Sequence, residues 1–183
     1  VSNTNVVLSN GKLYSLYDAG NPYVLDPETL DTTDISDMGV TSAHYKKYKE
    51  NIIHFGCIIS GSDCVIEVRE LDSQRNPVNR CKVKLNDAAF GFFHDILVTE
   101  NHYILIENPT KLNMSQLFKK ETLMECVEVK RGKHIKVHLI PRIITDAKFT
   151  KVKVRTIETK IRGFTFHHVN AYEENNALYL DTC

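Results

Sequence analysis

Repeatedly along this chain a short apolar or alternating run leads into a cluster of turn residues and then into a second such run. That recurrence restricts the fold more than any other feature of the sequence. Residues 5–8 and 12–17 flank Asn10-Gly11, a dipeptide suited to a tight hairpin because both residues tolerate positive φ. Residues 51–59 and 64–70 flank Ser60-Gly61-Ser62-Asp63, and 92–98 and 103–107 flank Thr99-Glu100-Asn101-His102. Further on, 126–130 and 134–140 flank Arg131-Gly132-Lys133, and 164–172 and 177–181 flank Glu173-Glu174-Asn175-Asn176. Helical periodicity is convincing only over 115–122, after the Asn108-Pro109 turn signal, where Met114, Leu117 and Phe118 share an apolar face. Successive hairpins with so little helix predict an all-β sandwich, barrel or propeller. The lack of a clean closing repeat favours part of a propeller.

A chain of 183 residues with 42% hydrophobic content is long enough for one domain with a substantial core. Lys+Arg and Asp+Glu both number 23, so there is no basic footprint and no nucleic acid is expected as a partner. The cysteines Cys57, Cys64, Cys81, Cys126 and Cys183 form an odd set without a C-x-x-C pair, which argues against a disulfide framework or a cysteine-rich zinc site and for a reducing compartment. No apolar run approaches the roughly 18 residues of a spanning helix. The chain opens on Val1 with neither an initiator methionine nor a signal-peptide pattern, and Cys183 directly follows a strand-like run. Residues 1–183 are therefore expected to be an incomplete domain with N- and C-terminal parts missing.

Three histidines stand in distinctive settings: Ser42-Ala43-His44, Phe93-His94-Asp95 and Phe166-His167-His168. They are 50 and 73 residues apart, too far for a helical or finger-type motif, and such spacing suits ligands delivered by separate strands of one sheet system. Imidazole is the commonest protein ligand for a borderline divalent metal, and neutral histidines without carboxylates leave the ion its full charge. A nearby carboxylate that accepts the other ring N–H then fixes the tautomer. A single histidine is more often a surface or hydrogen-bonded core residue; three in these contexts point to a metal. His167 and His168 would face opposite ways on a strand, so only one of them can join the others, and spacing does not choose between them.

The stretch Gly11-Lys12-Leu13-Tyr14-Ser15-Leu16-Tyr17-Asp18-Ala19-Gly20-Asn21-Pro22-Tyr23-Val24-Leu25-Asp26-Pro27-Glu28-Thr29-Leu30 resembles G-K-L-x-A-L-x-E-G-G-x-P-Y-x-L-D-P-E-T-L of the carotenoid cleavage oxygenase family, which also contains the retinoid isomerohydrolase of the eye. Thr41-Ser42-Ala43-His44 is similar to that family's T-A-H-P, and Phe93-His94-Asp95 to its I-H-D-F-A-I-T-E-N. Leu139-Ile140-Pro141-Arg142 is similar to L-I-P-R, and residues 166–174 to F-H-x-x-N-A-W/Y-E-E. The matches run in order along nearly the whole chain.

The resemblance implies part of a seven-bladed β-propeller, about three to four blades of it, with an axial Fe(2+) held by four histidines and an apolar tunnel for a polyene. Carried over by position, His44, His94 and His167 are three of the metal ligands. The fourth has no counterpart in this sequence, nor do two of the three glutamates that orient ligands. The remaining glutamate position falls on Asp18, which the resemblance makes the partner of His94. Aspartate is one methylene shorter, so either the backbone closes in or a water bridges. Phe92 is expected on the same strand face as His94, as a tunnel wall. Tyr45 replaces the family's usual proline, which frees φ beside His44. His54, His102, His134 and His138 match no ligand position, and the last two are expected in a strand.

The implied reaction is oxidative cleavage of a carbon–carbon double bond in a carotenoid or apocarotenoid by O2, giving two carbonyl products with no acid or base residue to assign. Leu112, Met114, Leu117 and Phe118, beside Lys111, Lys119 and Lys120, are the expected peripheral membrane contact, with an amphipathic helix packed on the propeller as the alternative. A cytoplasmic or plastid-type reducing compartment is expected. Two other readings stay open: a retinoid isomerohydrolase or stilbene-type oxygenase of the same family, and a non-catalytic propeller fragment. A piece of about three blades exposes unpaired strand edges, so the isolated fragment is expected to be inactive.

Overall fold

Turn residues with positive φ convert the alternating runs into antiparallel meanders. The computed structural model describes residues 2–9, 11–18, 20–36, 39, 41–119, 122, 125–144, 149–150 and 152–183. In the first sheet, β1 (Asn5–Ser9), β2 (Lys12–Leu16), β3 (Tyr23–Leu25) and β4 (Thr32–Ile35) pair in chain order. Ser9 pairs with Lys12, and Gly11 at φ 71° supplies the left-handed backbone that so short a turn needs.

The second meander contains β5 (Lys46–Tyr48), β6 (Asn51–Ser60), β7 (Asp63–Leu71) and β8 (Pro77–Leu85). The third sheet contains β9 (Leu97–Val98), β10 (His102–Glu107), β13 (Lys136–Pro141) and β15 (Arg155–Glu158), ordered β15-β13-β10-β9. Between β10 and β13 the chain makes a small ribbon of β11 (Thr110–Leu112) and β12 (Val127–Val129), joined through α1 (Met114–Leu117). The short β14 (Phe149–Thr150) lies parallel to β8 and extends the second sheet. A final hairpin pairs β16 (His168–Glu174) with β17 (Ala177–Thr182). Its two turn residues, Asn175 and Asn176, both have positive φ, which matches the right-handed twist of the flanking strands.

Alternation sets which face of each strand is buried. Along β7 the buried residues are Cys64, Ile66, Val68 and Glu70, and the first three meet Ile96, Tyr103, Leu105 and Ile140 in the largest core cluster, between the second and third sheets. Each fully buried aliphatic or aromatic side chain there contributes roughly 1.5–3 kcal/mol. Leu97, Ile104, Ile106 and Val137 of the third sheet pack in turn against Ala171, Leu178 and Leu180 of the last hairpin. Successive sheets therefore stack through apolar faces, as blades do.

A carboxylate lies deep inside this stack. Glu70 is fully buried and accepts from Arg142 Nε (2.8 Å) and Nη2 (2.5 Å), the Tyr103 hydroxyl (2.5 Å) and Asn51 Nδ2 (2.6 Å). Burial raises the pKa of the carboxyl; these bonds, that of Arg142 foremost, outweigh it and hold the pKa below the usual value. The Arg142 guanidinium follows β13 and so ties the third sheet to the second.

Four expectations need correction. Residues 126–130 and 134–140 do not form a hairpin: β12 pairs with β11, which is equally short, and β13 with β10, which is equally long. The helix expected over 115–122 shrinks to α1, opened by Asn113, whose side-chain oxygen accepts from Ser115 N–H at 3.1 Å, and capped at Phe118. His134 lies in a loop before β13, whereas His138 is within it. Finally, Cys57 on β6 and Cys64 on β7 are disulfide-bonded, with Cα atoms 6.3 Å apart; an odd cysteine count excludes a complete framework but not one local cross-strand bridge.

Candidate metal centre

His44, His94 and His167 occupy equivalent places in three different sheets. Each sits in the irregular segment leading into the first strand of its unit: His44 before β5, His94 before β9 and His167 before β16. Since β9 lies against both β5 and β16, the three leader segments meet at one junction. Their ring centroids are 4.4 Å apart for His44 and His94, 4.8 Å for His44 and His167, and 5.1 Å for His94 and His167. One ring nitrogen from each lies within 4.8 Å of the others. Nitrogens bound to one ion at about 2 Å lie roughly 3–4 Å apart, so small ring movements close the set.

The surroundings suit such an ion. His44 Nε2 is buried and has no hydrogen-bond partner among the described residues, an arrangement costly for a polar atom unless something else binds it. Burial lowers the His44 pKa; His94 and His167 lower it further, against the opposing pull of Asp95 and Asp18, so the imidazole is in the neutral, ligating form. The donor set contains no carboxylate. It fits a divalent transition ion that keeps its full charge.

Asp18 reaches His94 directly. Its Oδ2 lies 2.6 Å from His94 Nδ1, which leaves Nε2 as the free donor atom of that ring. The same carboxylate accepts the Ala43 N–H at 2.9 Å through Oδ1, and the Ser42 hydroxyl lies 3.1 Å from Oδ1 and 2.6 Å from the His94 carbonyl. These contacts draw the His44 loop onto residue 18, so the backbone, not a water, makes up for the missing methylene. Burial raises the Asp18 pKa, but the hydrogen bonds from His94 and Ala43 outweigh it and the net shift is downward. Gly20 permits the close turn that follows, because a Cβ there would overlap the Tyr17 ring. Tyr45, despite its free φ, is held by packing against the first sheet and by its ring 5.9 Å from that of His54.

Phe92 does not share a strand face with His94. Its φ of 56° places it in the left-handed region, and the segment is not a strand there, so period-two alternation fails. It nevertheless joins an aromatic group beside the histidines: its ring is 5.4 Å from Phe164 and 5.8 Å from Phe166, and Phe166 stacks on His94 at 3.9 Å. The spacing of two between Phe164 and Phe166, next to His167, is the signal in the sequence for this aromatic group. Among the residues expected at a membrane, Phe118 is 84% exposed and Leu112 is partly buried, while the side chains of Met114 and Leu117, and Lys120 entirely, lie outside the described residues. His168, one step past His167, turns inward and is buried.

Sequence reasoning also missed two charged neighbours. Asp95 is 2% exposed; its Oδ2 accepts Lys46 Nζ and the His168 N–H, both at 2.9 Å, and its Oδ1 accepts the Ile96 N–H at 2.8 Å. Lys46 Nζ also donates to the His168 carbonyl at 2.7 Å.

Fold and site together define a β-sheet protein with a candidate three-histidine metal centre where its sheets meet. The RPE65 family model, described as retinal pigment epithelial membrane protein, matches residues 1–183, and the chain belongs to that family of carotenoid oxygenases. Among curated relatives, the apocarotenoid-15,15'-oxygenase of Synechocystis sp. is 29% identical over all of this chain and 38% of its own length. The isoeugenol monooxygenase of Pseudomonas putida is 27% identical over 99% of the chain and 37% of its length, and the carotenoid 9,10(9',10')-cleavage dioxygenase of Crocus sativus 25% over 99% and 33%. The structure of cobalt-substituted Synechocystis apocarotenoid oxygenase superimposes with a TM-score of 0.84 at 27% identity, over 100% of this chain and 39% of that one. Those structures are β-propellers, and the stacked sheets described above are part of one. The chain spans between a third and two fifths of the length of these relatives.

Proposed function

We propose that this chain supplies three histidine ligands, His44, His94 and His167, to an iron(II) centre in an oxygenase that cleaves a carbon–carbon double bond of a carotenoid or apocarotenoid with O2. The convergence of three imidazoles, delivered by three sheets and free of carboxylates, is the observation that carries this reading. When bound, iron(II) with open positions and neutral ligands supplies a site for dioxygen next to the substrate. The chain's own residues do the rest. Asp18 holds the His94 tautomer. Phe92, Phe164 and Phe166 offer an apolar wall against which a conjugated chain can lie in one register beside His94, keeping water away. The apocarotenoid reading draws on the relative that is 29% identical along the whole chain.

Peripheral membrane contact through exposed Phe118, flanked by Lys111 and Lys119, belongs to the same proposal, since polyenes partition into bilayers. No described helix is long and apolar enough to cross a membrane.

Purified full-length protein carrying this chain is the material for the test, with iron quantified and the protein incubated in air with β-carotene, an apocarotenal, a retinyl ester and a stilbene. Bound iron and a pair of carbonyl products from a carotenoid or apocarotenal are expected. Iron-free protein, or turnover confined to the ester or the stilbene, would refute the assignment.

A further inference from the structure

The three histidines come from segments far apart in sequence, so their mutual spacing has to be imposed by contacts between those segments. Ser42 and Asp18 join the His44 loop to the His94 segment. The third segment is held differently. Asp95, adjacent to His94, accepts the N–H of His168, while Lys46, two residues past His44, donates to the carbonyl of His168; the ammonium and carboxylate also bond to each other at 2.9 Å. An ion pair with a buried carboxylate and a partly buried ammonium thus clasps both polar groups of the residue that follows His167, and each of its members stands within two residues of another histidine.

We propose that the Lys46–Asp95 pair is a positioning device for the metal centre: it sets the distance of His167 from His44 and His94 by gripping the His168 backbone. The inference rests on the metal reading given above. The bonds of the pair run to each other and to the backbone of Ile96 and His168, and neither residue belongs to the three-histidine set, so both act through backbone placement and not as ligands. Charge on both partners matters, because Oδ2 receives two donors at once and Lys46 Nζ serves two acceptors at once. An amide at position 95 cannot match this. With its oxygen in place of Oδ2, its NH2 faces the Ile96 N–H that Oδ1 now accepts; turned the other way, its NH2 faces both Lys46 and the His168 N–H.

The test uses full-length protein loaded with cobalt(II) and compares wild type with Asp95→Asn, Lys46→Met and Lys46→Arg. Cobalt affinity is read by chelator competition, the ligand field by visible absorption, and the fold of the metal-free protein by circular dichroism. Asp95→Asn and Lys46→Met are expected to weaken cobalt binding about 10–100-fold with an altered visible spectrum and unchanged metal-free fold, and Lys46→Arg to restore most of the affinity. Wild type that binds cobalt, with variants matching it in affinity and spectrum, would overturn the inference and leave the metal reading standing. Variants that lose the metal-free fold would also overturn it, by showing a purely structural pair. Wild type that binds no cobalt at all would overturn both.

Discussion

Replacing Asp18 by Asn separates metal binding from folding. On this carboxylate the Ala43 N–H meets Oδ1 at 2.9 Å and His94 Nδ1 meets Oδ2 at 2.6 Å, with the Ser42 hydroxyl 3.1 Å from Oδ1. An asparagine has one oxygen. If it serves the fully buried Ala43 N–H, its NH2 faces His94 Nδ1, which must become the acceptor and move the ring proton to Nε2, the atom a metal needs. If it serves His94 instead, the Ala43 N–H loses its partner, at a cost of about 1–3 kcal/mol. The first outcome is the cheaper for the metal-free fold, since the tautomer shift keeps both the Ala43 N–H and His94 Nδ1 paired with residue 18. Asp18→Asn should therefore reduce metal affinity about 10–100-fold, or about 1.4–2.7 kcal/mol, and change metal-free stability by less than about 1 kcal/mol. Chelator competition and urea denaturation of the full-length protein read the two quantities. Unchanged affinity would refute the claim that Asp18 sets the His94 tautomer.

Arg142→Met strips the fully buried Glu70 of its cationic partner and should destabilise the protein by about 3–5 kcal/mol, seen as a lowered urea midpoint; a loss under about 1 kcal/mol would show that Tyr103 and Asn51 suffice. His54 is buried, its pKa lowered to about 4 by burial first and then by Arg75 and Arg69. The unfolded chain therefore takes up this proton before the folded one, and stability falls as pH drops from about 6.5 to about 4, by about 3 kcal/mol at most, and levels off below. His54→Gln should flatten that part of the pH profile measured by thermal melting, and an unchanged slope would reject it.

Hairpins were readable where local chemistry alone decides them. Gly11, Gly61 and the Asn175-Asn176 pair all take positive φ at turns that the sequence marks. Pairing between distant runs was not readable: nothing near residues 126–130 says that their partner is β11 and not β13, because the choice depends on which strand edge is already free. The same division applies to the site. His44, His94 and His167 were legible from motifs, and Asp18 from its place in one, but the Lys46–Asp95 clasp exists only once three sheets meet. Phe92 illustrates a local failure, since a single left-handed residue defeats alternation and leaves no mark in a non-glycine sequence.

Anomalous diffraction from crystals of the full-length protein, recorded at the iron absorption edge, tests the central claim most directly. The account predicts one strong peak about 2 Å from a ring nitrogen of each of His44, His94 and His167. A peak that fails to touch all three, or none, would contradict it.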